Sequence, residues 1–590
     1  MLACESSGAL IQTAGLTSIS PSAQRVAHHH AAQPAMALRV PAGTVANAHV
    51  RKSGKGEMTI TFPRIADPAA DLSWARRERE LAEITESSQA VDLIVVGGGI
   101  TGVGVALDAA SRGLSTVLFE RNDLAFGTSR WSSKLVHGGL RYLATGHVDV
   151  AWESAVERGH LMTTIAPHLV RALPQVVPVM SDTSLASAVI TRAGFAAGDV
   201  LRSAARTPSR TLPPAHLLSA SRVRAVVPSI DTSRLRGGIM AWDGQLVDDA
   251  RLVVAVARTA ASFGARIITR VDVVDASGQG VTIRDTITGQ TTSLRSRTVI
   301  AATGVWAGQL DSAVHVQPSR GTHLLVDAAR VGNPFAALTI PVPGMSGRYC
   351  FLLPRPDGLV LAGITDIGVE TIDDVPTAPD SDIDWIIEQV NRVLSAPLSR
   401  TDVLGSFAGL RPLVTMGTAH TEATSDISRQ HLITTSDRGV VTVTGGKLTT
   451  YRRMAHDAVD EVTDFPCRTT RIALVGASAN PPRRSPGFFA ADPLVMRYGA
   501  EAERVRALAA WFPDSESALT PIARYTSVAR VDIAHAIVHE GAKDAADVIE
   551  RRLRLDAVDA DLPAVRGVVD EVFDALPAAR LRADTPAGAS

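Results

Sequence analysis

Gly97-x-Gly99-x-x-Gly102 directly follows the apolar run VDLIVV (91–96) and opens a helical pattern that continues through Arg112. Glu120 closes the next apolar run, STVLFE (115–120). Gly97 allows a tight turn that Gly98 continues, Gly99 lets a pyrophosphate approach the backbone, and Gly102 permits close packing of helix on sheet. The helix N-terminus adds positive potential for phosphate, and Glu120 is placed to accept from both ribose hydroxyls. A lone glycine fingerprint is a weak signal; strand, turn, helix, strand and acid together specify a dinucleotide site. A second constellation, VVTVTGGKLTTYRRM (440–454), reads as a strand, a GGK turn and a helix start. Backbone N–H groups at Gly446 and Lys447, with the helix dipole, aim positive potential at one spot. That arrangement suits the negative charge a reduced flavin develops at N1 and the C2 carbonyl, and a nicotinamide has no such need. Lys447 at a helix start opposes the dipole, so it calls for a partner anion.

These residues need a scaffold. Strand, glycine turn, helix and strand within residues 91–120 form a βαβ unit, which puts the first turn at the carboxyl edge of a parallel sheet, where ligands bind. The runs Val281–Asp285, Val299–Ala302, His323–Val326, Tyr349–Leu353 and Leu359–Gly363 are predicted strands of a substrate-covering sheet. The expected organisation is a disordered extension over 1–70, an oxidoreductase region over 71–480 and a helical domain over 487–578 with a loose tail over 579–590. Within the second region, nucleotide-binding segments are expected near 88–180, 235–310 and 400–465, with the cap interleaved near 181–234 and 311–399. Residues 1–57, rich in Ala, Ser, Gly and Pro, lack any helical or strand period; Met58 is an alternative start. The charge-rich run Asp71–Glu86 is a predicted solvated helix, and Pro481, Pro482, Arg483, Arg484 and Pro486 mark a linker.

Composition removes other classes. A chain of 590 residues, 45% of them hydrophobic, holds more than one domain, and three scattered cysteines exclude both a disulfide framework and a zinc site. His28-His29-His30 has no neighbouring ligands, so no metal site is expected. Lys and Arg number 59 against 60 Asp and Glu, which argues against nucleic acid as a partner. The most apolar stretch, Val91–Ala110, is broken by glycines and carries Asp108, so no membrane span is expected. The first residues lack a basic and a continuous apolar region, so the expected location is inside the cell.

Across roughly Val91–Leu555, the motifs LVHGGLRYL, DGQLVDDARLV, AATGVWAG, SRGTHLLV, GITDIG, FAGLRPL, GGKLTTYR and HEGAKDAADVIERRLRL follow in order. With them the chain resembles the FAD-dependent glycerol-3-phosphate dehydrogenases of the respiratory bacterial type, within the wider family that includes D-amino-acid oxidase. The resemblance implies an α/β fold: a Rossmann-like FAD-binding domain of the D-amino-acid-oxidase and glutathione-reductase type, a mixed β-sheet cap and a C-terminal helical domain. It implies oxidation of sn-glycerol 3-phosphate to dihydroxyacetone phosphate, with electrons passing from FAD to a membrane quinone at the cytoplasmic membrane surface. A homodimer is among the assemblies it allows. Active-site counterparts are Arg141 and Tyr142 in HGGLRYL, His323 in SRGTHLLV, Thr365 in GITDIG, Arg411 in GLRPL and Lys447 in GGK. Beyond Gly97, Gly98, Gly99, Gly102 and Glu120, the implied flavin contacts are Thr128, Ser129 and Ser133, then Gly138 and Gly139. Thr303 and Gly304, and Gly446, Lys447 and Leu448, complete them. Two features depart from the family pattern: the long N-terminal extension, and the bulky Arg130 and Trp131 in SRWSSKL.

A phosphate dianion needs fixed cations, and Arg141 and Arg411, flanked by Gly138, Gly139 and Gly409, are the candidates, with Lys447 beside them. Arginines at strand ends otherwise serve surface salt bridges. Oxidising a secondary alcohol requires a base, for which His323 is the first candidate and Arg411 the alternative, or else the group that stabilises the developing alkoxide. Between Thr191 and Pro228, six arginines (Arg192, Arg202, Arg206, Arg210, Arg222, Arg224) face one acid, Asp199, among apolar Leu185, Ile190, Phe195 and Leu201. That stretch is either a surface for anionic lipid or a solvated face of the cap. Two other functions fit parts of the pattern: a same-family oxidase reducing oxygen, and a non-catalytic flavin-binding sensor, which would not need the cation set.

Overall fold

The computed structural model describes residues 49–50, 60–139, 147–345, 348–414, 430–479 and 492–576. Val91–Val96, buried almost without interruption, is the centre of the first sheet, as a strand covered on both faces must be. It pairs in parallel with Thr116–Glu120 on one side and Thr291–Ala301 on the other; Arg266–Thr269 and Val441–Gly445 extend the parallel set. Helix Ile100–Ser111 covers one face, and the ring of Tyr451, at the start of helix Tyr451–Asp460, lies so near Gly104 that a Cβ there would be 2.9 Å from it.

The second sheet is mixed and built on long strands. Val170–Met180 pairs antiparallel with Leu235–Leu246, and Val316–Asp327 with Val403–Val414. The latter register sets Arg411 opposite Ser319 and Phe407 opposite His323, while His323 faces Gly363 on its other side. Residues far apart in sequence therefore meet by strand pairing alone.

Several expectations change. Val281–Asp285 and Val299–Ala301 lie in the first sheet, not in the cap, because their strands join the Val91 sheet directly or through each other. Val170–Met180, Leu235–Leu246 and Val403–Val414 fall inside the segments assigned to nucleotide binding, yet all three pair in the second sheet. Residues 60–70 are not disordered: Thr61–Phe62 pairs with His49–Val50, Thr61 accepts from the Ala473 N–H, and Ala70 is buried. The predicted charge-rich helix runs Trp74–Glu86, capped by Ser73, and it buries Arg77 and Ile84 against the first sheet. The rest of the extension, Met58 included, the linker prolines and the tail lie outside the described residues.

Helices Pro493–Tyr498, Ala502–Ala507, Arg530–His539 and Leu562–Ala575 gather around an apolar core of their own that includes Val505, Ile533 and Val569. Among the described residues, no helix is long and apolar enough to cross a membrane.

Candidate active site

A cavity of about 880 Å³ runs from the carboxyl edge of the first sheet to the second, within the range of small-molecule sites. At one end Gly97 sits at φ +111°, and a Cβ on it would come within 2.6 Å of the Ala302 carbonyl oxygen. A Cβ on Gly102 would lie 1.9 Å from the Gly97 oxygen, so only glycine lets the helix start this close to the turn. Gly97 and Gly99 line the cavity, whereas Gly98 and Gly102 shape it from behind. Glu120 accepts from the N–H groups of Gly98 (2.6 Å) and Asn122 (2.7 Å). Burial raises its carboxyl above the ordinary value, against the pull of those two hydrogen bonds.

Thr128, Ser129 and Ser133 line the wall that follows, and Ser129 Oγ accepts from the Ile100 N–H at 2.9 Å, tying this segment to the helix start. Thr303 and Gly304 face them, Gly304 at φ +59°. Thr303 Oγ1 and Trp131 Nε1, both on the cavity wall, are buried with no partner among the described residues. Glycine cradle, acid and orphaned donors fit FAD. Gly446, at φ +69°, Lys447 and Leu448 close the far wall, and Lys447 Nζ is 3.0 Å from Ser154 Oγ.

The loops carrying these groups are fastened by acids that sequence reasoning passed over, all from DGQLVDDARLV. Asp249, fully buried, accepts from Ser132 N–H (2.8 Å), Ser132 Oγ (2.7 Å) and Lys134 Nζ (2.5 Å), and so fixes Ser133 between them. Asp243 accepts from the Gly138 N–H (3.1 Å) and Arg158 Nη1 (2.7 Å). A Cβ on Gly138 would strike the Arg158 guanidinium at 2.3 Å, so Gly138 serves this clamp and does not line the cavity. Gly139 follows at φ +73°. Arg141 and Tyr142 lie outside the described residues. The signal for these acids was present in the motif, but nothing in one sequence says which loop each will hold.

At the substrate end, Thr365 and Arg411 line the cavity, and His323 does not. His323 is 1% exposed, stacked on Phe407 with centroids 4.8 Å apart. Its Nε2 lies 2.8 Å from Ser133 Oγ, which stands between it and the cavity. Burial, then the charges of Arg411 and Lys134, push the imidazole well below its ordinary value. It is therefore neutral at pH 7.

Arg411 Nη1 pairs with Asp366 at 3.2 Å, and its Nη2 donates to the Thr365 carbonyl at 3.0 Å. Arg348, missed in the sequence, lines the same wall and approaches Asp366 from the other side at 3.8 Å. Asp382, also missed and 1% exposed, accepts from Thr322 Oγ1 (2.6 Å), Thr365 Oγ1 (3.3 Å) and Arg320 Nε (3.0 Å). Thr365 Oγ1 in turn accepts from the Thr322 N–H at 2.9 Å. Asp382 thus binds the strand that carries His323 to the loop that carries Thr365.

Comparison with known proteins agrees with this geometry. Residues 92–452 match the family of FAD dependent oxidoreductases, and residues 467–579 match the C-terminal domain of alpha-glycerophosphate oxidase. The chain is 47% identical over 512 residues to glycerol-3-phosphate dehydrogenase 1 of Mycobacterium tuberculosis H37Rv, covering 85% of this chain and 98% of that one. It is 32% identical over 568 residues to the mitochondrial glycerol-3-phosphate dehydrogenase of Macaca fascicularis, covering 88% and 75%. Among solved structures it is similar to the glycerol-3-phosphate dehydrogenase of Bacillus halodurans complexed with FAD. That match has a TM-score of 0.62 at 25% identity and covers 88% of this chain and 96% of the other.

Proposed function

This chain belongs to the family of FAD-dependent glycerol-3-phosphate dehydrogenases, and on that premise we propose that it oxidises sn-glycerol 3-phosphate to dihydroxyacetone phosphate. The observation that carries the reading is one continuous cavity joining the Gly97 and Glu120 cradle to a wall that bears Thr365, Arg348 and Arg411. FAD, when bound, supplies the hydride acceptor. Gly97, Gly99, the helix start and Glu120 hold its nucleotide portion, and Thr303, Gly446 and Lys447 border the rest. Arg348 and Arg411 bring two guanidiniums to this wall, both near Asp366, as charge-assisted donors for a phosphate dianion. Arg141, from HGGLRYL, is the further cation assigned to that phosphate, with Tyr142 beside it. Neutral His323 receives the hydroxyl proton through Ser133: Ser133 Oγ takes the substrate proton while passing its own to Nε2, and the C2 hydrogen leaves with its electron pair. Arg411 opposes the negative charge that grows on the substrate oxygen.

Purified protein should be yellow, and anaerobic addition of sn-glycerol 3-phosphate should bleach it. Bleaching only by a different alcohol or by an amine would overturn the substrate.

The acceptor we assign is a membrane quinone, reached at a peripheral membrane surface on the cytoplasmic side. Helix Leu185–Ala204 supports this, since none of its residues with described burial is buried. Val189, Ile190 and Val200 are 59%, 68% and 69% exposed, beside the exposed Arg192, whereas Arg202 is turned in to Asp199 and the Thr207 carbonyl. Ile190 and Phe195 also line the cavity, together with Val177 and Phe351, giving an apolar path from the basic surface toward the flavin end. Vesicles containing anionic lipid should bind the protein more tightly than neutral ones, and equal binding would argue against this surface.

A further inference from the structure

The segment 121–133 leads from the ribose-binding acid to Ser133, and its inner side lines the cavity at Asn122, Phe126, Thr128 and Ser129. Its only regular structure is a single turn at Thr128–Arg130, and Ala125 holds φ +60°, a conformation unfavourable for a residue with a Cβ. Something outside must fix it. Its outer side meets the C-terminal domain, at the short helix Asp547–Arg552.

Asp123, 1% exposed, accepts from Arg552 Nη1 (2.7 Å) and Nη2 (2.9 Å) and from Arg551 Nε (3.0 Å). Burial would raise this carboxyl, but Arg552 and then Arg551 hold it below its ordinary value. Arg130, fully buried, turns away from the cavity and reaches Glu550 at 2.8 Å. Its guanidinium lies 4.3 Å from the Trp131 ring centroid, and Arg554 lies 4.6 Å from the same ring. Arg130, which does not line the cavity, and the face of the Trp131 ring that Arg130 and Arg554 cover are thus the segment's half of a domain junction, while Trp131 also borders the cavity. The other half is the run Arg551, Arg552 and Arg554.

We propose that the C-terminal domain retains the cofactor: its arginine run and Glu550 hold segment 121–133 in the shape that receives FAD, so domain docking and FAD binding stabilise each other. The inference rests on the FAD assignment above and extends it to Asp123, Arg130, Glu550 and the arginine run, none of which lines the cavity. Reciprocity is required of any such coupling, so FAD must tighten the junction as much as the junction tightens FAD.

Amide hydrogen exchange of the full-length protein, with FAD and after its removal, tests the first arm. Exchange over residues 547–554 should speed up when FAD is removed. FAD release, followed by fluorescence on dilution, tests the second. Glu550→Gln and Arg552→Lys should each release FAD about tenfold faster. Arg530→Ala, which breaks the 3.0 Å pair with Glu571 on the far side of the same domain, should release it at the wild-type rate. Unchanged exchange over 547–554, or equal acceleration by Arg530→Ala, overturns the proposal. The exchange arm needs only the wild-type chain, so a variant that fails to fold does not protect the idea. Apoprotein that takes up no FAD at all would sink the cofactor assignment and this coupling with it.

Discussion

The two ends of the cavity are built in different ways. At the nucleotide end, the groups that meet a ligand come from contiguous chain: a glycine turn, a helix start and an acid, all within residues 97–120. Even Glu120 is held by backbone N–H groups. At the substrate end, Ser133, His323, Thr365, Asp382 and Arg411 arrive on separate strands and loops and are held chiefly through side chains: Ser133 by His323, Thr365 by Asp382, and Arg411 by Asp366 and the Thr365 carbonyl. A backbone cradle tolerates the loss of a side chain, since its donors are fixed by the fold. A side-chain relay has no substitute for a missing member, and the costs of mutation should divide along this line.

The largest effect is expected at His323. His323→Ala should lower kcat by about 10²- to 10⁴-fold, the usual worth of a positioned base, with FAD still bound; unchanged turnover would remove it from the mechanism. Its pH behaviour follows from its surroundings. Burial, Arg411 and Lys134 keep the imidazole uncharged well below its ordinary value near 6.5, so kcat/KM should stay level as pH falls from 7 to 6.5 and decline only further down. Stability changes in the same direction. Below about pH 6.5 the unfolded chain takes up a proton that the folded site refuses, so this residue lowers stability as pH falls from there toward the folded value. A limb at or above pH 6.5 would show that His323 is not the titrating group.

Next comes the tightest point of the nucleotide end. Gly102→Ala would put a Cβ 1.9 Å from a backbone oxygen that cannot swing aside. Overpacking of about 1–3 kcal/mol, at 1.4 kcal/mol per tenfold, corresponds to a loss in FAD affinity of up to about a hundredfold. Titration of apoprotein with FAD measures it, and near-normal affinity would mean that the helix start can move.

The same division explains what could be read in the sequence. The cradle was legible because its requirements are local: a turn only glycine can make, a helix that must begin next to it, and an acid at the end of the next strand. The substrate end yielded its residue types but not its connections. His323 looked like a base facing substrate, whereas pairing with Phe407 and Gly363 sinks it behind Ser133. Asp243, Asp249 and Asp382 sit in ordinary acidic stretches, and only strand register shows which loop each one ties down. The cap strands were misplaced for the same reason, because an apolar run of strand length does not state its partner.

Asp382→Asn probes the relay at a residue with no cavity contact of its own. Thr322 Oγ1, Thr365 Oγ1 and Arg320 Nε all donate to Oδ2, while Oδ1 accepts from Arg320 Nη2, so an amide that keeps its oxygen for the two threonines drives its NH₂ against the Arg320 guanidinium, and the opposite flip loses both hydroxyls at once. Thr365 and the Arg411 it anchors should loosen, so KM for sn-glycerol 3-phosphate should rise about tenfold with kcat within threefold, the scale of one lost buried hydrogen bond. A fall in kcat at constant KM would place Asp382 with the proton path through His323 instead.

The smallest effect is expected where the same kind of deletion falls on the cradle. Ser129→Ala removes the hydroxyl that accepts from the Ile100 N–H at 2.9 Å. That N–H belongs to a helix start already aimed at the diphosphate position, and once released it can donate there instead. The lost contact is replaced in kind, so FAD affinity should change by less than about threefold, a net difference of roughly half a kcal/mol. An effect as large as that of Asp382→Asn on KM would mean that the cradle also depends on a side-chain relay, and the contrast between the two ends would fall.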